Sequence, residues 1–90
     1  NVNIISPLAQ YYTKTGEQKH YQWFEDKMKQ ASSQDLYDLM VIFTKYALQL
    51  SNEDKAKAIV FLKQISIENQ HEVIRKNAKT YAQYIEKSIK

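Results

Sequence analysis

Ninety residues, 43% hydrophobic and 26% charged, fit one folded domain spanning 1–90 and leave no room for a catalytic module beside a substrate module. The absence of cysteine excludes a disulfide scaffold and thiolate metal sites, and no apolar run approaches the roughly 20 residues that cross a bilayer. A net charge of +3 is a small electrostatic footprint beside the roughly 6–10 phosphates that a duplex binder engages.

Gly16 and Pro7 are the only glycine and proline, which leaves little material for the hairpins and positive-φ turns of antiparallel sheets. The expected class is all-α: a compact bundle of four or five short helices, mainly up-and-down. Ser6 before Pro7 reads as an N-cap followed by proline at the first helical position. Leu8, Tyr11, Tyr12 and Thr15 then fall on one face, and Gly16 is suited to a left-handed stop.

Thr15-x-x-Gln18 reads as a capping box for a second helix, with Tyr21, Phe24, Met28 and Ala31 as its inward stripe. Ser32-x-x-Asp35 opens a third. There Leu36, Leu39, Met40, Phe43, Tyr46, Ala47 and Leu50 form a broad stripe, and Tyr37, Val41 and Leu48 form a second. Two stripes predict a central helix packed on more than one side. Ser51-x-x-Asp54 caps a fourth, carrying Ala58, Ile59, Leu62 and Ile65, with Phe61 widening its face. Asn69-x-x-Glu72 marks a fifth start, since the stripe resumes as Ile74, Ala78, Tyr81 and Ile85. A single kinked fourth helix is the alternative.

His71 begins His-Glu-Val-Ile-Arg, one residue short of a zinc-protease helix. That motif sets two histidines four residues apart so that both rings meet one ion. Arg75 holds the second position, and a fixed cation there repels a metal. Glu68-x-x-His71 has the spacing found in carboxylate-bridged di-iron bundles, but those need two such pairs and further inward glutamates. The serines are explained by capping, and one glycine cannot build a phosphate-cradling loop. The expectation is a non-enzymatic chain with no metal and no cofactor.

The positive balance lies in the second half of the chain. Arg75, Lys76, Lys79, Lys87 and Lys90, interleaved with Tyr81 and Tyr84, make the last helix basic and aromatic, as a nucleic-acid surface would be. Glu72 and Glu86 each stand four residues before a lysine, Lys76 and Lys90, which compensates part of that charge within the helix.

With 100° per residue, Trp23 falls about 120° from the centre of the second helix's stripe. The only tryptophan therefore points away from the expected core, beside His20 and Lys27. Exposed Trp and Tyr are common interface anchors. These observations predict a protein-protein interaction module of the adaptor, inhibitor or immunity type, using His20, Trp23, Lys27 and Tyr84. The partner would be another protein or a second copy of the chain. The alternative is a nucleic-acid-associated protein using the basic last helix. The start lacks a basic segment followed by an apolar one, so the expected compartment is the cytoplasm; a removed leader is the alternative, because the chain opens at Asn1.

Overall fold

The computed structural model describes residues 2–89, with side chains from residue 7 onward. Five helices follow in order: α1 (Val2–Thr15), α2 (Tyr21–Gln30), α3 (Ser33–Ala47), α4 (Asn52–Glu68) and α5 (Glu72–Ser88), with a short 3-10 turn, Gln18–His20, before α2. The described residues contain no strand, and the architecture is the all-α bundle that the sparse glycine and proline predict.

The α1 boundary differs from expectation. The helix begins at Val2 and holds Pro7 in its interior. Proline keeps a helical φ and forfeits one backbone hydrogen bond, and the chain before it still winds as helix. The inward face also shifts. Ala9 is fully buried, Tyr12 is half-buried, and Tyr11 is 60% exposed. The small Ala9 side chain lets α1 approach α3 closely, and Thr13 Oγ1 bonds the Ile42 carbonyl at 3.4 Å.

Gly16 ends α1 at φ +64°. Its N–H returns to the Tyr12 carbonyl at 3.0 Å. A Cβ at this position would meet the end of the flexible Gln49 side chain, which can move aside, so the left-handed conformation is what requires glycine. Thr15 caps nothing: its hydroxyl donates back to Tyr12 at 3.0 Å. The left-handed turn carries the chain into the 3-10 segment, and α2 starts at Tyr21 without a side-chain cap. The Thr15 capping box is thereby corrected.

Ser32 and Ser51 act as expected. Their hydroxyls accept from the backbone N–H of Asp35 at 3.3 Å and of Asp54 at 3.2 Å, occupying donors left orphaned in the first turn. Asn69 plays a different part from the one its motif suggests. It is the C-cap of α4, and its Oδ1 accepts from the His71 N–H at 2.9 Å. This local turn breaks the chain between α4 and α5, so they are separate helices.

Helix α3 is central and packs against α1, α2, α4 and α5. The core joins Phe24 and Met28 to Met40, Phe43, Tyr46, Leu62, Ala78 and Ile85. Its aromatic centre stacks Phe24 on Tyr46 at 4.6 Å and sets Phe43 edge-on to Phe61 at 5.8 Å. Helices α4 and α5 run antiparallel. Lys55 near the start of α4 reaches the Ser88 carbonyl at the end of α5 at 3.4 Å, while Arg75 near the start of α5 bonds the Asn69 carbonyl at 2.7 Å. A largely buried lysine at a helix C-terminus meets the negative end of the dipole.

Candidate functional site

His20 and Trp23 come together at the start of α2, where Tyr12 of α1 packs against both, and Lys27 follows one turn beyond Trp23. The Tyr12 ring stacks on His20 at 3.8 Å and meets Trp23 edge-on at 5.0 Å. Trp23 also packs edge-on against the buried Phe24 at 5.1 Å. All three flank residues are half-buried. The 120° offset that directs Trp23 away from α3 directs it into α1, where the indole clamps one helix to another. Outward placement of Trp23 is thus corrected.

Tyr84 stands elsewhere, on α5, and is 61% exposed. Val73, three turns earlier on the same flank of α5, is also 61% exposed. Ser33, Gln34 and Tyr37 from the start of α3 line a cleft with His71, Val73 and Ile74 from the start of α5. The two helices therefore begin at the same end and lie side by side. Tyr37 is 41% exposed. Burial, followed by the neighbouring Tyr37, raises the pKa of the Tyr81 phenol, and Tyr84 lies one turn beyond Tyr81. Tyr37 and Val73 thus share one cleft between α3 and α5, and helical spacing puts Tyr84 on the Val73 flank of α5 with Tyr81 one turn before it.

Only Tyr84 of this set is singled out by sequence as an interface residue. Tyr37 is visible there as part of α3's second stripe, which periodicity assigns to packing. Val73 carries no signal, because it stands one position before the periodic Ile74.

A second concavity lies where the end of α2, the start of α3 and the end of α4 meet. Its volume is about 310 Å³, with Met28, Leu36, Phe61 and Ile65 lining it between Lys29 and Glu68. Those two charges are already engaged, Lys29 with Glu25 at 3.7 Å and Glu68 with Gln64 at 3.2 Å.

The basic residues of α5 differ in burial and pairing. Arg75 is half-buried and engaged with Asn69, and Lys76 pairs with Glu72 at 3.2 Å as its spacing predicts. Lys79 and Lys87 are exposed. Lys90 lies outside the described residues, as does its expected pairing with Glu86, and Glu86 pairs with Lys63 of α4 at 3.3 Å. His71 is exposed at the N-cap of α5. Among the described residues no group of three or more His, Asp or Glu is arranged to hold a metal ion, and no helix is long and apolar enough to cross a membrane.

Two buried phenols differ in their bonding. Tyr46 donates to the Glu17 carbonyl; burial first, and then the Asp54 carboxylate, push its pKa up to about 12. The Tyr21 hydroxyl is buried without a well-formed hydrogen bond, and its pKa is raised by burial and by the neighbouring Glu25. No protein-family model, curated protein or solved structure matches this chain.

Proposed function

We propose that this chain is a non-enzymatic protein-binding module whose contact surface is the α3/α5 face containing Tyr37, Val73, Tyr81 and Tyr84. The observation that carries the reading is that Tyr37, Val73 and Tyr84, all exposed, stand on the neighbouring helices α3 and α5, with Tyr37 and Val73 lining one cleft. Scattered exposed apolar residues are ordinary, whereas a contiguous set rimmed by polar groups is how interaction sites present themselves. Tyrosine suits such a role because its ring packs while its hydroxyl stays at the wet rim. Both helices hold these side chains on rigid backbone, so little conformational entropy is lost when a partner docks.

The test is a comparison of the immobilised chain with a Val73→Ser/Tyr84→Ser variant whose circular dichroism matches the parent. A partner retained by the first and lost by the second supports this surface. Identical retention by both overturns it.

A further inference from the structure

Resting on the protein-binding reading of the α3/α5 face, we infer that the segment docking there is an acidic amphipathic helix of another protein. Mid-helix backbone offers no free N–H or C=O for a strand to pair with. A helical segment satisfies its own backbone and needs only an apolar stripe. Val73 to Tyr84 spans roughly 16 Å along α5, which matches the stripe of a helix about three turns long.

Charge fixes the flank of that helix. The acids of α5 are occupied, Glu72 by Lys76 and Glu86 by Lys63. Lys45, one turn beyond Val41 on α3, and Lys87, one turn beyond Tyr84 on α5, are exposed and have no ion pair among the described residues. The opposing carboxylate, Asp38, is half-buried beside Tyr37 near the start of α3. Lys45 and Lys87 stand in the last turns of α3 and α5, which begin at the same end, so the far end of this helix pair is basic and carboxylates on the incoming helix meet the two lysines there. A second copy fits poorly, because a chain of net charge +3 would set its own α5 lysines against these. Nucleic acid fits poorly as well, since bases and phosphates would meet an apolar face with few unpaired cations.

Lys45 and Lys87 also stand in the last turns of their helices, where they complement the dipoles. That role predicts a change in stability alone, so peptide preference is the discriminating readout. The probes are two synthetic helical peptides of about four turns, each with one Leu/Phe stripe, flanked by Glu in one and by Lys in the other. They are titrated into the isotope-labelled full chain and followed by amide chemical shifts.

The expected result is shifts at Tyr37, Val41, Val73 and Tyr84, with the Glu-flanked peptide binding about tenfold more tightly. Lys45→Glu/Lys87→Glu reverses that order, and Lys45→Gln/Lys87→Gln, which adds no like charge, erases it. Equal affinities for the two peptides overturn the acidic preference and leave the binding surface standing. The absence of shifts on this face with either peptide, or shifts there with a single-stranded oligonucleotide, overturns the surface reading together with the inference.

Discussion

Two aromatic clusters, built from the same kinds of side chain, meet opposite fates in this fold. Between α1 and α2, Tyr12 packs on His20 and Trp23, and Trp23 packs on Phe24, so their rings hold helices together. Between α3 and α5, Tyr37, Tyr81 and Tyr84 form a face from which Tyr84 stays 61% exposed. Composition does not distinguish them. A covering helix does: α1 lies over the first cluster, and the second stays open to solvent.

Breaking the core beneath the covered cluster gives the largest effect. Phe24 is fully buried and contacts Trp23, Phe43 and Tyr46, so Phe24→Ala is expected to cost about 3–5 kcal/mol. For a domain this small that removes most of the cooperative transition in urea. Trp23→Ala, at a half-buried position, is expected to cost about 2 kcal/mol through lost packing, visible as a lower urea midpoint. An unchanged midpoint would contradict the clamp role of Trp23.

Alkaline pH probes the buried phenols. Tyr46, with its folded-state pKa pushed up to about 12, stays protonated while the unfolded chain ionises near pH 10. The unfolded state therefore binds fewer protons between those values, and stability falls as pH rises. The contribution is complete below pH 10 and is lost through the interval up to about 12, at up to about 1.4 kcal/mol per pH unit for each such phenol. Circular dichroism against pH should show unfolding begin above about 10, with a shallower decline in Tyr46→Phe. At neutral pH that variant loses its bond to the Glu17 carbonyl and about 1 kcal/mol.

Tyr21→Phe sharpens the contrast, since it removes a hydroxyl without a well-formed bond. Its urea midpoint should stay level or rise slightly. On the open face, Tyr84→Ala should move stability by no more than about 0.5 kcal/mol while weakening peptide binding. A large destabilisation would place Tyr84 in the structural set with Trp23.

Much of the fold was legible because its signals are local. Ser32 and Ser51 announce two helix starts through hydroxyls that reach N–H groups three residues on, and Gly16 announces a stop through a backbone conformation that other residues avoid. The inward stripes of α2, α4 and α5 follow from a fixed helical period. The first helix is less legible. Ser6-Pro7 is a start signal that the preceding chain overrides, and Thr15-x-x-Gln18 has capping spacing beside a glycine turn that forbids it.

The candidate face was legible only in fragments. Tyr84 stands out on the last helix, and Tyr37 belongs to a second stripe on α3 whose covering no local signal reports. Periodicity states which side of a helix is apolar. It is silent on which neighbour arrives there, because that depends on contacts between residues far apart in the chain.

The sequence by itself determined the class, the helix count within one, three of the turns and most of the core, since each depends on residues within a turn or two of one another. Tertiary structure alone decided that Trp23 is a clamp, that Arg75 is engaged with the end of α4, and that Tyr37, Val73, Tyr81 and Tyr84 share a surface. The physical reason is the same in each case. An apolar or charged side chain takes its role from what packs against it, and here that neighbour comes from another helix.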